Sequence, residues 1–361
     1  MKNILLILFL AISFKAVAQK RNPNNKAIFL EDISWTTAKQ VLTSDAVIVI
    51  PLGAGAKEHG PHLPLSSDFI QAEGYKNQLA LKRKVIITPT INYGYYFGFL
   101  KYAGSTSLSF STATDLVLQI VRSLTNYGPK RFYIINVGVS TTPTLETAAK
   151  ILANEGVLLY FSSFERPNFA KVQEQLRTQA YGTHADEKET SNILSLRPDL
   201  VDMSKAVNDS SMKNKIGGMT PIPLEGGILN TSGIIGYAAL GTKEKGLKFM
   251  DAFTKEVIKE IDSITTCTLP QVKDRSTEYK KYEGTYTDTS GKKLIINQKD
   301  NILYYIWNGR DGRNFFHLYR DGEDFFSSIA FNILFVKNEN GEVIKAWCQY
   351  RGTSFWVTKM K

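Results

Sequence analysis

Four short apolar runs restrict what this chain can fold into more than any other feature. "AVIVIP" (Ala46–Pro51), "VIIT" (Val85–Thr88), "RFYIIN" (Arg131–Asn136) and "VLLYF" (Val157–Phe161) are continuous and rich in β-branched residues. A strand without a polar face is one buried on both sides. Helical stretches lie between the runs. In "TDLVLQIVRSLTNYG" the side chains of Leu116, Val117, Ile120, Val121 and Leu124 share one face, with Thr114 as the expected N-cap and Gly128 as the stop. Strands alternating with amphipathic helices predict an α/β fold: a mainly parallel sheet covered by helices on both faces. Ligands in such folds bind beyond the carboxyl ends of the strands. The pattern runs from residue 28 to 265 and closes with an amphipathic helix over about Thr242–Ser263.

Residues 266–277 read as a charged linker, and the character then changes. From 278 to 361 the chain is a series of short strand-like pieces, among them "KLIINQ", "ILYYIW", "NILFVK" and "VIKAWCQY". Turn signals at Ser290-Gly291, Asp321-Gly322 and Asn340-Gly341 separate them. This predicts a small C-terminal all-β domain. Tyr282, Tyr286, Tyr304, Tyr305, Trp307, Phe315 and Phe316 suit its core, with His317 structural; a ligand groove lined by these rings is the alternative. The stretch "YEGTYTDTSGKKLIINQKDNILYYIW" is similar to the small β domain attached to some exported β-lactamase-like hydrolases.

The N-terminus, "MKNILLILFLAISFKAVAQ", has Lys2, an apolar run over Ile4–Phe14 and an Ala16-Val17-Ala18 cleavage site. Residues 1–18 therefore read as a secretory signal peptide, and the expected location is the periplasm. The run falls short of the roughly 20 residues that span a bilayer, so no stable membrane anchor is expected. Export permits a disulfide between Cys267 and Cys348; two separate buried thiols are the other reading. The net charge of +10 is scattered, with the densest cluster at Lys82-Arg83-Lys84 and no basic stripe with interleaved aromatics. That pattern is a solvated basic surface and argues against a nucleic-acid partner.

The polar stretch "GAKEHGPHLPLSSD" (Gly55–Asp68) stands just past the first apolar run. Imidazole and carboxylate are the usual ligands of zinc, manganese and iron. His59 and Asp68 can reach one ion if the loop holding Gly60, Pro61 and Pro64 turns back. A second cluster, "THADEKETS" (Thr183–Ser191), holds His184, Asp186, Glu187 and Glu189. On a helix His184 would face Glu187, and Asp186 would face Glu189. A joint metal or acid–base site and two unrelated polar loops both fit these residues.

Five segments in order then resemble the creatininase (creatinine amidohydrolase) family. They are "HGPHLPLSSD" (His59–Asp68), "YAGSTSL" (Tyr102–Leu108), "THADEKETS", "RPDLVDM" (Arg197–Met203) and "SGIIGYAALGTKEKG" (Ser232–Gly246). The resemblance implies a three-layer α/β/α fold, a homo-oligomer and hydrolysis of a non-peptide C–N bond, linear or cyclic. It also implies a small-molecule amide substrate and one or two divalent ions, zinc or manganese. Under it His59 and Asp68 match metal ligands, Asp68 at the bridging position. His184 matches a proton-handling histidine, and Glu189 matches the glutamate of the family's Glu-Thr-Ser segment.

Three positions depart from the pattern. The family's glutamate ligand falls at Lys57, with Glu58 beside it as a replacement ligand or as the partner of a surface cation. One extra residue precedes His59, which predicts a bulge that re-aims the loop. Gly138 stands where relatives carry a metal-binding histidine, and Ser140 where creatininase has a further glutamate. The resulting expectation is an amidohydrolase with a single-metal or altered two-metal site. Its ion would be held by Glu58, His59 and Asp68, with Lys57, His184 and Glu189 in catalytic roles. The alternatives are a non-catalytic relative binding a small metabolite in the old pocket, and an envelope protein that uses its β domain to bind a partner.

Overall fold

The computed structural model describes residues 23–24, 26–164, 166–211, 213, 218–223, 225, 227–274, 276–299, 302–307, 315–320, 323–328, 331–350 and 353–360. The expected leader, residues 1–18, lies outside them. Strands β1 (Ile28–Phe29), β2 (Val47–Leu52), β3 (Ile86–Ile87), β4 (Arg131–Asn136) and β5 (Leu158–Phe161) form one parallel sheet in the order β1-β3-β2-β4-β5. The four apolar runs supply β2 to β5, and β1 adds an edge.

The strands have no polar face because both faces are covered. Val47 and Val49 of β2, with Tyr133 and Ile135 of β4, pack into one core. There they meet side chains of helices α2 (Ser67–Lys82), α5 (Pro167–Leu176) and α7 (Lys243–Thr266). Their alternating neighbours Ile48, Ile50, Phe132 and Ile134 pack into a second core. That one holds residues of α1 (Trp35–Val41), α3 (Phe110–Thr125) and α4 (Thr142–Ala153). The result is a three-layer α/β/α domain. Helix α6 (Glu187–Leu196) lies against α2 and α7. Short pairings between β6 (Asn208–Asp209) and β9 (Gly236–Tyr237), and between β7 (Gly218–Thr220) and β8 (Gly227–Leu229), stiffen the segment that leads to α7.

Two local expectations are corrected. Helix α3 starts at Phe110, because the Ser109 hydroxyl accepts the Thr112 N–H at 3.1 Å and takes the cap. Thr114 lies inside the helix, and its hydroxyl donates to the Phe110 carbonyl at 2.9 Å. No bulge forms in β2, whose register with β4 is unbroken from Val47 to Leu52.

A short helix α8 (Ser276–Lys280) leads into eight antiparallel strands. These are β10 (Gly284–Thr287), β11 (Lys293–Lys299), β12 (Ile302–Trp307), β13 (Phe315–Arg320), β14 (Phe325–Ser327), β15 (Phe331–Lys337), β16 (Val343–Tyr350) and β17 (Thr353–Lys359). Pairing of β10 with β17 closes them into a barrel and removes the open edges. Tyr282, Tyr286, Tyr305 and Trp307 are buried in the barrel core, whereas Tyr304 is half-exposed. The side chains of Phe315, Phe316 and His317 lie outside the described residues. Cys348 is buried, Cys267 is exposed, and both thiols are free. Among the described residues no helix is long and apolar enough to cross a membrane.

The contact that fixes α6 against α7 is a glycine. A Cβ on Gly246 would collide with the Ser191 carbonyl and lie 2.9 Å from the Ser195 Cβ. Gly246→Ala is expected to destabilise the domain by about 1–3 kcal/mol through overpacking. An unchanged urea midpoint would refute that close approach.

Candidate active site

In the sheet, β3 lies on one side of β2 and β4 on the other. The crossover direction therefore reverses between β2 and β4, which opens a crevice at their carboxyl ends. The loop after β2 carries Lys57, Glu58 and His59 into that crevice, and β4 delivers Val137 and Gly138 opposite. The Lys57 N–H donates to the Leu65 carbonyl at 2.9 Å, so the loop turns back on itself. The turn brings His59 to Asp68 in the first turn of α2.

The other family-like segments bind to this loop. The Ser105 hydroxyl accepts the Glu58 N–H at 3.0 Å, and Thr106 N–H donates to the Ala56 carbonyl at 2.9 Å. Asp202 N–H donates to the His62 carbonyl at 3.0 Å. His62 Nε2 meets the Thr190 hydroxyl at 2.8 Å. His184 pairs with Ile235 across an isolated bridge. Glu58 is held by the Gly60 N–H and by close approach of Gly233; both glycines have left-handed backbones, with φ of +72° and +66°.

Lys57, Glu58, His59, Asp68, His184 and Glu189 come together here, all buried. Lys57 Nζ lies 2.6 Å from Asp68 Oδ2, and His59 Nε2 lies 2.8 Å from Asp68 Oδ1. His184 Nε2 lies 3.0 Å from Glu58 Oε2, and its Nδ1 lies 3.7 Å from Glu189 Oε2. The two imidazole centroids are 5.0 Å apart. Burial alone would raise the pKa of Asp68, but the Lys57 ammonium and His59 hold it well below the usual carboxylate range. Burial disfavours charge on His59, yet Asp68 brings its pKa to a net rise. Burial likewise opposes charge on Glu189, and His59 and His184 outweigh it and lower its pKa. His62, one step removed, is pushed down to about 4, mainly by burial, and so is neutral near pH 7.

The second polar cluster divides in two. Helix α6 begins only at Glu187, so His184 precedes the helix and the expected His184–Glu187 and Asp186–Glu189 faces do not form. Ala185 takes a φ of +47°, which turns the chain between His184 and the helix. Asp186 is the N-cap: its Oδ1 accepts from Lys188 N–H and Glu189 N–H, and Gln179 Nε2 donates to its Oδ2. Glu187 points away from the crevice and takes donors from Thr178, Gln179 and Lys245. Of the four expected acids and histidines in this cluster, His184 and Glu189 meet the Lys57–His59 group. Glu189 also accepts the Ala185 N–H at 2.6 Å, which ties the turn to the site.

His59, His184 and Glu189 each offer one ligand atom within 4.8 Å of the others. Both rings are oriented as metal-binding imidazoles usually are, with the second nitrogen held by an acceptor. His59 Nδ1 donates to the Lys57 carbonyl at 2.8 Å, which leaves Nε2 as its ligand atom. His184 Nε2 faces Glu58, which leaves Nδ1 on the Glu189 side. Because Nδ1 of His59 carries its proton, Nε2 can sit 2.8 Å from a carboxylate oxygen only with a shared proton or cation between them. Three buried carboxylates converge here, Asp68 on Lys57 and His59, Glu58 and Glu189 on His184. Buried acids in excess of their cations favour a bound ion, since uncompensated buried charge costs several kcal/mol per group. The residues present fit one such ion. They do not fit two, since Lys57 is a cation and Gly138 has no side chain.

A cleft of about 510 Å³ opens onto the cluster, lined by Lys57, His184 and Glu189 together with Phe99, Phe164 and Lys188. Sequence reasoning missed Phe99, whose ring lies 4.8 Å from the His184 centroid and 4.8 Å from Lys57 Nζ. It belongs to the aromatic-rich stretch "YGYYFGF" (Tyr93–Phe99), a signal that was available but unread.

The sequence profile of the creatinine amidohydrolase family matches residues 31–261. Creatinine amidohydrolase of Pseudomonas putida is 26% identical over 204 residues, covering 51% of this chain and 77% of the relative. The 3-dehydro-scyllo-inosose hydrolase of Thermotoga maritima is 22% identical over 267 residues, 65% of this chain and 83% of the relative. The mycofactocin precursor peptide peptidase of Mycobacterium tuberculosis is 23% identical over 248 residues, 64% and 90% of the two chains. A solved structure described as "Creatininase Mn" superposes with a TM-score of 0.56 at 21% identity, over 67% of this chain and 100% of its own. All three relatives are hydrolytic enzymes by name, and the folds agree. This chain belongs to the creatinine amidohydrolase family.

Proposed function

We propose that the protein is a hydrolase of a C–N bond in a small linear or cyclic amide. Its proposed cofactor is one divalent ion, zinc or manganese, held by His59, His184 and Glu189. The carrying observation is that those three buried groups bring one ligand atom each within 4.8 Å of one another, each ring braced by an acceptor. A divalent ion there would polarise a carbonyl and acidify water. The remaining work falls to the chain. Glu58 keeps His184 oriented, and the Lys57 carbonyl does the same for His59. Lys57 presents its ammonium to the cleft, where it stabilises negative charge developing on a carbonyl oxygen. The second oxygen of Glu189 can take a proton from water and return it to the departing nitrogen. Phe99 and Phe164 give the cleft apolar walls that exclude water.

One observation favours a different role for His184. It faces the cleft with a carboxylate behind it, which also suits a proton carrier of the kind the family resemblance implies. Export to the periplasm and a homo-oligomeric state belong to the same proposal. Exposed Tyr93, Phe97 and Leu100, between β3 and α3, support a subunit interface.

Elemental analysis of protein purified without chelator is expected to find one ion per chain, lost in His59→Ala and in Glu189→Gln. Retention of the ion in both variants would end the reading. His184→Ala separates its two roles. Loss of the ion marks His184 as a ligand, whereas a retained ion with hydrolysis of a lactam panel reduced about 10²–10⁴-fold marks it as the proton carrier.

A further inference from the structure

Lys57 is a lysine in an unusual place. Its side chain is 4% exposed, and Nζ lies 2.6 Å from Asp68 Oδ2, an oxygen with no partner in regular hydrogen-bonding geometry. The faces of Phe99 and Tyr96 lie 4.8 and 5.8 Å from the ammonium. Asp68 is thus shared: Oδ1 faces His59, and Oδ2 faces Lys57.

Gly138 also borders this oxygen. A Cβ at that position would have Asp68 Oδ2 as its one neighbour within 4 Å, at 3.7 Å. A side chain there would therefore start out toward Oδ2. The backbone does not demand glycine, since φ −107° and ψ 137° are ordinary extended values open to any residue. What glycine supplies is space, and the Lys57 ammonium lies at the oxygen that borders it.

We propose that the Lys57 ammonium is a resident cation in a seat beside Asp68 Oδ2, that it excludes a divalent ion from that seat, and that Gly138, which borders the same oxygen, leaves the seat without a ligand of its own. The chain then takes a divalent ion only on the His59 side. A second ion could reach Oδ2 only by displacing the ammonium, and would leave two cations competing for one buried oxygen. This rests on the proposed function for the ion on the His59 side; the seat at Oδ2 stands on Lys57, Asp68 and Gly138 alone.

The test is a count, read without activity. Metal-stripped wild type and Lys57→Glu/Gly138→His are titrated with zinc or manganese by calorimetry, and the loaded proteins are then assayed for metal. The double variant supplies two ligands where the wild type has a cation and a gap, so it is expected to bind one equivalent more. An equal count, or two equivalents in the wild type, would overturn the inference. A wild type with none and a variant with one would keep the inference and end the reading of an ion on the His59 side. Should the double variant not fold, Lys57→Met serves instead. Manganese is expected to raise its melting temperature by several degrees more than that of the wild type, because the vacated seat accepts the ion. An equal or smaller shift would overturn the inference.

Discussion

Everything in this molecule's crevice is arranged around the carboxylate of Asp68. It lies in the first turn of α2, is 1% exposed, and divides its two oxygens between His59 and Lys57. A carboxylate this deep is untenable alone, since the desolvation of one such ion amounts to several kcal/mol. The helix N-terminus helps, with about 0.3–1 kcal/mol of dipole stabilisation, but that is too little by itself. The balance comes from the ammonium on one side and a proton or cation on the other. Hence the loop after β2 must turn back on α2, and hence the other family-like segments close over that loop with backbone and hydroxyl bonds.

The layered fold was legible because its signal is coarse. An apolar run without alternation has few places to go, and Val47 to Leu52 and Arg131 to Asn136 behave as such runs must. Boundaries were less legible. Ser109 and Thr114 are both acceptable caps in isolation, and only the position of α3 on the sheet decides for Ser109. The start of α6 was hidden for a similar reason. Nothing in "THADEKETS" announces that Ala185 takes a positive φ, and that turn puts His184 before the helix and makes Asp186 a cap.

The roles within the site were legible in type and not in partner. Histidines and acids in two clusters announced a shared centre, yet spacing cannot say which oxygen meets which nitrogen. Glu58, expected beside His59 and Asp68, lies against His184 instead, because Gly60 and Gly233 leave it a seat on that side. Lys57, its neighbour in sequence, points to the other side. The cation thus goes to Asp68 and the acid to His184, a division that the sequence spacing does not announce. Phe99 shows the opposite limit: the aromatic-rich stretch around it is visible in the sequence, but nothing there says which ring meets both the lysine and the histidine.

A lysine and a metal ion are not equivalent ways to balance the same carboxylate. An ion brings two charges, exchanges with solvent and follows the metal supply of its compartment. An ammonium brings one charge, cannot be chelated, and is fixed in place by its own backbone. With Lys57 beside Asp68, one positive charge next to that carboxylate persists whatever the metal supply. The ammonium also differs in geometry. Its three N–H groups are directional, whereas an ion accepts ligands all round. A polar group entering past Phe99 would meet a hydrogen-bond donor at Lys57 and the imidazole of His184. The sheet and the helices that cover it are set by apolar packing away from Lys57 and Gly138. The frame that holds Asp68 therefore does not depend on which charge carrier stands beside it.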